Sequence, residues 1–316
     1  MQKLLLLLSI VLIAGCTVEI NGDESSEEES ELDKKIEEIE ELVLTGEDLK
    51  AINLLNKQIN RHKENAVLYK LRGEAHFNLG NHVKSLADLE KSVELAPKND
   101  AFLNFLGYVQ LKSGDPKTAK ETFEKVLVIN DQNSDAYLNL GLITQEEGGS
   151  IQTAYNYYLQ AYDLDPLSDM ACNNMGYTHY VYGVKDSAMY YYNIAIDLNP
   201  TNLSALSNRA MLLADIGEYN RAEADMVQYL EYSPTPESGY ATLCWLYILM
   251  EDYKESVLAG EKCLEIHPGY LQGVINLGYA YYMMKDMGKA CETWKSQTFD
   301  PDEELAAKIE EACQSV

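Results

Sequence analysis

Basic residues are scarce in this chain. Lysine and arginine together number 25, against 51 aspartates and glutamates, and the formal charge is -26. A surface of that sign is repelled by phosphate backbones, which excludes nucleic acid as a partner, and it disfavours direct adsorption to an anionic membrane. Turn formers are scarce too. The 19 glycines and 8 prolines among 316 residues fall below the usual share of about 12% for the two together, so an all-β protein rich in tight turns is excluded. Only five histidines are present, and no two stand as His-x-x-x-His around a glutamate. A glycine-rich phosphate loop, a Gly-x-Ser-x-Gly elbow and a Cys-x-x-Cys pair are all missing. No metal, cofactor or catalytic activity is therefore expected, and the abundant carboxylates read as solvated helix faces. Apolar residues are present in an ordinary amount, 46%, which excludes disorder over the whole chain.

The first sixteen residues carry an address. Met1-Gln2-Lys3 is a short basic start, and Leu4 to Ile13 is an apolar run broken only by Ser9. That run is too short to span a bilayer, which takes about 20 apolar residues. Ile13-Ala14-Gly15-Cys16 follows and resembles the lipobox of bacterial lipoprotein signal peptides. The resemblance implies removal of residues 1–15 and lipidation of Cys16, with several acyl chains anchoring where one would not hold. Thr17 rather than aspartate follows the cysteine. By the same resemblance this implies the outer membrane of a bacterial envelope, with the periplasmic face and the cell surface both open. Residues 16–31 include Asp23, Glu24, Glu27, Glu28, Glu29 and Glu31, with serines between them. Such a stretch buries too little apolar surface to fold and is expected to be a flexible tether, reaching about 50 Å when extended.

One period organises the rest. Small residues recur at Ala51, Ser85, Ala119, Ala154, Ala188, Ala222, Ser256 and Ala290, in steps of 34 with a single 35. Gly73, Gly107, Gly141, Gly176, Ala210, Cys244 and Gly278 repeat those steps, and so do Pro97, Asp131, Pro166, Pro200, Pro234 and Pro268. The extra residue falls in Gly148-Gly149-Ser150, a turn that tolerates insertion. Tyr137-Leu138-Asn139-Leu140-Gly141 with Ala154, Tyr158, Ala161 and Pro166 resembles the tetratricopeptide repeat. So does Cys172-Asn173-Asn174-Met175-Gly176 with Ala188, Tyr192, Ala195 and Pro200. The resemblance covers about residues 32–301. It implies an all-α, right-handed superhelical solenoid of eight helix-turn-helix repeats: 32–65, 66–99, 100–133, 134–168, 169–202, 203–236, 237–270 and 271–301. A polar-faced helix over 302–313, within the tail 302–316, is expected to cap the array. In each repeat the glycine series lies on a first helix, A, and the alanine series on a second, B. Helix axes approach to about 8–10 Å only where the contact residues are small. Proline then closes helix B, because it removes a donor and bars the preceding residue from helical torsions.

Two departures from the pattern carry expectations. Gly260 stands where other repeats place an aromatic. It lowers helix propensity by about 1 kcal/mol relative to alanine and is expected to leave a packing gap, making that helix the most mobile of the C-terminal half. After Cys16 there remain Cys172, Cys244, Cys263, Cys291 and Cys313. The first three fall at packing positions and read as small buried hydrophobes. Five is an odd number, and the sequence assigns no pairing.

Function is expected on helix A. Its sixth position reads Asn139, Asn174, Asn208 and Asn276, interrupted by Phe105 and Thr242. Its ninth supplies Tyr108, Tyr177, Met211, Trp245 and Tyr279, and its twelfth Tyr180 and Tyr282. An amide offers a donor and an acceptor, so it satisfies a peptide unit without reading side chains. Rigid aromatics add contact area at low entropy cost. The family resemblance implies that the A helices line a concave groove holding an extended peptide or a partner helix. A carboxylate clamp of the kind that binds chaperone C-termini is disfavoured, because Glu74 follows Lys70 where asparagine is needed and Phe105 replaces the next asparagine. The acidic surroundings favour a neutral or basic segment, and a small-molecule ligand is disfavoured. The expected function is a non-catalytic, membrane-anchored adaptor, touching the membrane through its lipid alone. The alternative is a surface glycan-binding lipoprotein of an uptake system, whose sign would be coplanar exposed aromatics on one face; Tyr155, Tyr157, Tyr158, Tyr162, Tyr190, Tyr191 and Tyr192 on the B helices are the candidates, although core packing is the first expectation for them.

Overall fold

The computed structural model describes residues 24–315, so the expected lipobox and Cys16 lie outside the described residues. Among the described residues there are 17 helices and no strand. They fall into two compact units, divided after Asp115.

The first unit holds α1 (Glu24–Leu44), α2 (Asp48–Arg61), α3 (Ala66–Asn78), α4 (His82–Leu95) and α5 (Asp100–Lys112). The start of α1 corrects the expected tether: residues 24–31 are helical. Glutamate is a good helix former, and a run of acids is favoured at a helix N-terminus by the macrodipole. The run therefore extends a helix whose apolar stripe, Ile36, Ile39 and Val43, packs with Leu55 and Leu68.

The second unit begins with α6 (Pro116–Ile129), α7 (Ser134–Glu146), α8 (Ile151–Leu164), α9 (Asp169–Val181) and α10 (Lys185–Leu198). It continues with α11 (Leu203–Asp215), α12 (Tyr219–Tyr232), α13 (Glu237–Leu249), α14 (Tyr253–Ile266), α15 (Leu271–Met283), α16 (Met287–Lys295) and α17 (Glu303–Gln314). Odd-numbered helices up to α15 are A helices and even-numbered ones are B helices. Local chemistry sets their ends. Asn133, Ser168 and Asn202 cap α7, α9 and α11 by accepting backbone N–H bonds in the first turn. Gly148, Gly183 and Gly217 end the same helices with positive φ, the left-handed geometry glycine adopts without strain. The turn from α7 to α8 has four residues, one more than the turns after α9, α11, α13 and α15.

The small residues sit where two backbones meet. In the first unit the Ser85 hydroxyl donates to the Gly73 carbonyl at 2.7 Å, and in the second the Ser256 hydroxyl donates to the Cys244 carbonyl at 2.8 Å. One turn further along helix B, a large side chain lies flat on the glycine. A Cβ added to Gly141 would stand 2.4 Å from the Tyr158 ring, one on Gly176 2.6 Å from the Tyr192 ring, and one on Gly278 2.3 Å from the Trp294 indole. Repeat six matches Ala210 with Met226 in one core cluster. Repeat seven matches Cys244 with Gly260, and the expected gap is absent. A Cβ on Gly260 would come within 2.8 Å of the Leu277 Cβ and 3.0 Å of the Cys244 sulfur, so the sulfur and Leu277 already fill the space.

Two arginines tie successive B helices together. Arg209 makes a two-bond contact to the Asp225 carboxylate, at 2.8 and 2.7 Å, and donates a third bond to Asn193 on the preceding B helix at 2.8 Å. Arg72 does the same with Asp88 and Asn56 in the first unit. At the C-terminal end, α17 packs on α15 and α16 through Leu305, Ile309 and the fully buried Ala312. A disulfide joins Cys291 to Cys313, which supplies the pairing the sequence left open. Cys172, Cys244 and Cys263 are buried free thiols.

Candidate functional site

The A helices α7, α9 and α11 of the second unit border a cleft of about 410 Å³, walled by Gln145, Asn173, Asn174, Tyr177, Ser207 and Asn208. Its amides form a directed chain. The Asn208 side chain donates to Asn173 Oδ1 at 3.0 Å, and Asn173 donates to Asn174 Oδ1 at 3.2 Å. Asn174 Nδ2 and Asn208 Oδ1 are left over, a donor and an acceptor at the two ends of the chain. Asn173 is the residue that sequence reasoning missed. It stands at the fifth position of the helix, directly before Asn174, and its signal was that Asn-Asn pair.

The remaining expected residues divide. Asn139 is half-buried and folds back on its own helix, donating to the Asp135 carbonyl at 2.8 Å. Met211 is 44% exposed. Tyr180 donates to Asp215 at 2.5 Å, and that hydrogen bond, with burial, pushes its phenol up to about 12. Beneath lies Tyr192, fully buried, with a hydroxyl that has no partner among the described residues. Trp245 is half-buried against the core around Leu243 and Leu246. Tyr108 belongs to the first unit, where its ring meets Phe77 and Phe105.

Asn276, Tyr279 and Tyr282 make contacts within the fold. Asn276 is 5% exposed, donates to the Ala241 carbonyl at 2.8 Å and accepts from Gln272 at 2.9 Å. Its amide locks α15 to α13 and is not presented to a ligand. Tyr279 and Tyr282 face α17: Lys308 lies over the Tyr279 ring at 5.5 Å, and the Tyr282 hydroxyl donates to Glu311 at 2.5 Å. The chain's own last helix covers the eighth repeat at these two positions. Thr242 interrupts the amide series by donating to the Ser238 carbonyl.

The buried thiols are not poised for chemistry. Burial pushes Cys172 and Cys263 up to about 11 and Cys244 up to about 12, so the reactive thiolate is suppressed. Among the described residues no cluster of His, Cys, Asp and Glu is arranged to hold a metal, and no helix is long and apolar enough to cross a membrane.

Paired helices, glycine-ended turns and the 34-residue step together describe one repeat family, and its sequence profile matches residues 66–99 and 101–133. The chain carries tetratricopeptide repeats. Its backbone superposes on a chain of the APC/C hetero-tetramer Cut9–Hcn1 with a TM-score of 0.70. That match is 17% identical and covers 77% of this chain and 48% of the other. PilF of Pseudomonas aeruginosa follows with a TM-score of 0.57 and 22% identity, over 68% of this chain and 96% of PilF. In sequence the repeats are 25% identical to the human protein O-mannosyl-transferase TMTC3, over 76% of this chain and 27% of that protein. They are 23% identical to the BBSome complex member bbs-4 of Caenorhabditis elegans, over 73% of this chain and 50% of that protein. The chain thus spans about a quarter to a half of the length of these curated relatives. Tetratricopeptide repeats are scaffolds for protein–protein interaction, and that is the general role the repeats and their relatives support.

Proposed function

We propose that this protein is a non-catalytic adaptor, lipid-anchored at Cys16 to a bacterial outer membrane, that holds a neutral or basic segment of a protein partner against α7, α9 and α11. The observation that carries this reading is the amide chain Asn208–Asn173–Asn174 beside Tyr177. Its two spare ends are a donor and an acceptor, the two kinds of group that a peptide backbone's C=O and N–H require, and the tyrosine adds contact area without charge. The partner contact is thereby narrower than a groove across repeats three to eight, because Asn139 and Asn276 already spend amide bonds inside the fold. Asp215, which accepts from Tyr180 of α9, favours a neutral or cationic segment.

Two features support an envelope location. One is the lipobox at Ile13-Ala14-Gly15-Cys16. The other is the Cys291–Cys313 disulfide, a bond kept in oxidising compartments and rare in reducing ones. The constant 34-residue step leaves no insertion in which to house a catalytic site. Ring geometry on α8 and α10 weighs against the glycan reading. Tyr162 and Tyr191 meet at 89° and Tyr190 and Tyr191 at 77°, so these rings offer edges where a sugar needs one flat face.

A photo-crosslinking residue at Tyr177, with a control at Tyr190, tests the partner site in whole cells. Crosslinks to a protein from Tyr177 and none from Tyr190, lost in the Asn174→Ala/Asn208→Ala variant with unchanged helicity, are expected. Capture that ignores those two asparagines overturns the site. Metabolic labelling with a radioactive fatty acid tests the anchor: label should vanish in Cys16→Ser.

A further inference from the structure

Elsewhere in the second unit, the α11–α12 turn and the α13–α14 turn border a cleft of about 570 Å³. Its walls are of two kinds. Tyr219, Leu249 and Met250 are apolar, while Glu218, Arg221 and Glu251 are charged. Arg221 already donates to Glu218 at 2.5 Å, so that pair is internally neutralised. Among the described residues, no group lies within ion-pair or hydrogen-bond distance of the Glu251 carboxylate.

Glu251 also occupies an unusual backbone position. Gly46, Gly80, Gly114, Gly148, Gly183 and Gly217 hold the matching turn position of six other repeats, all with positive φ. Glu251 adopts φ 60° there, a conformation that disfavours any residue with a Cβ. Lys285 does likewise at φ 64°, but its ammonium lies over the Tyr282 ring at 5.5 Å, a local contact that Glu251 lacks. A carboxylate is thus held at the mouth of a partly apolar cleft in place of a less strained glycine.

We propose that this cleft receives an arginine or lysine side chain of a protein partner, as a docking point separate from the asparagine cleft. Such a side chain is amphipathic. Its methylene stem suits Tyr219, Leu249 and Met250, and its cationic head suits the free Glu251 carboxylate. An acidic or phosphorylated guest would meet both that carboxylate and the field of a chain carrying -26. A purely apolar guest would cover Glu251 without a counter-charge, which is unfavourable.

The test is a titration of the ¹⁵N-labelled protein with the blocked tripeptide acetyl-Gly-Arg-Gly-amide, and with the same peptide carrying citrulline, the neutral isostere of arginine. The arginine peptide should shift the amides of Gly217, Met250 and Glu251 and saturate. The citrulline peptide should bind at least about fivefold more weakly, the loss expected for one charge-assisted hydrogen bond. Glu251→Gln should lose the same factor. Glu251→Gly should also lose it while raising the urea midpoint, a pairing of signs that a merely structural glutamate would not give. Asn174→Ala/Asn208→Ala should leave the titration unchanged, which separates this site from the asparagine cleft. Equal affinity for both peptides, an unaltered Glu251→Gln titration or the absence of any shift would each overturn the assignment.

Discussion

Adding a single methyl group at Gly141 tests the geometry of the helix pairs most directly. An ideal Cβ there would lie 2.4 and 2.6 Å from two ring carbons of Tyr158, where unstrained carbon contacts begin near about 3.5 Å. The ring has no room to retreat, because it is fully buried and its hydroxyl donates to Gln145 at 3.1 Å. Overpacking is worth about 1–3 kcal/mol of destabilisation, and an overlap this deep belongs at the upper end, about 2–3 kcal/mol. Alanine regains about 1 kcal/mol of helix propensity over glycine, so Gly141→Ala should be less stable by about 1–2 kcal/mol. The protein contains its own control, since repeat six carries Ala210 at this position, in one core cluster with Met226. In a Tyr158→Met background, therefore, Gly141→Ala should become stabilising by about 1 kcal/mol, the propensity gain alone. The coupling between the two sites is then about 2–3 kcal/mol, near the upper end for contacting residues. Urea unfolding followed by far-ultraviolet circular dichroism gives the four stabilities of the cycle. Hydrogen exchange of α7 and α8 localises the effect, as an array can unfold in parts. A Gly141→Ala variant as stable as the parent, or effects that add within about 0.5 kcal/mol, would refute the reasoning.

Other outcomes follow from the same coordinates. Arg209→Met leaves the 6% exposed Asp225 without its cation and should lose about 3 kcal/mol in urea melts. Arg221→Met breaks an exposed pair and should change stability by less than about 1 kcal/mol. Cys313→Ser removes a cross-link between residues 22 apart, worth about 3 kcal/mol of loop-closure entropy. The loss should appear as faster hydrogen exchange in α17, with α7 to α10 unaffected. The buried thiols, raised to about 11 and 12 in the fold, favour the native state fully below the unfolded thiol pKa near 8.5. That contribution falls as pH rises from there towards the folded values. The urea midpoint should therefore drop between pH 8 and pH 10.5, and by less in Cys244→Ala. Iodoacetamide at pH 8 should label Cys172, Cys244 and Cys263 only after unfolding.

Features at a constant offset within one repeat were legible in the sequence, because one geometry recurs at every step. The glycine, alanine and proline series named both helices of each pair, and Ser85 and Ser256 reach across to the carbonyls of Gly73 and Cys244 as that reading requires. Relations between neighbouring repeats were less legible. Asn276 matches Asn174 in position, yet Ala241 captures its amide. Tyr279 and Tyr282 match the groove tyrosines, yet a helix outside the repeat pattern lies against them. Gly260 read as a defect, because its compensation by Cys244 and Leu277 involves two other helices. The start of α1 at Glu24 was hidden by composition: acidic, serine-rich segments resemble disordered ones, and here the helix behind it carries the run. The cleft beside Glu251 left no trace in the small-residue series, since it depends on two turns separated by a whole repeat.

The unequal sizes of the facing residues bear on how such an array avoids misassembly. A chain of near-copies is prone to exchange errors in which a second helix nests on the first helix of the wrong copy. In the second unit the fitted partners are Tyr158 on Gly141, Met226 on Ala210 and Trp294 on Gly278, while Gly260 lies against Cys244. Swapped nestings would press an indole onto a methyl group or leave a void where a ring belongs, and each is a mismatch of a few kcal/mol. Graded bulk thus acts as a lock-and-key numbering of the copies, steering each helix to its own mate while the chain condenses.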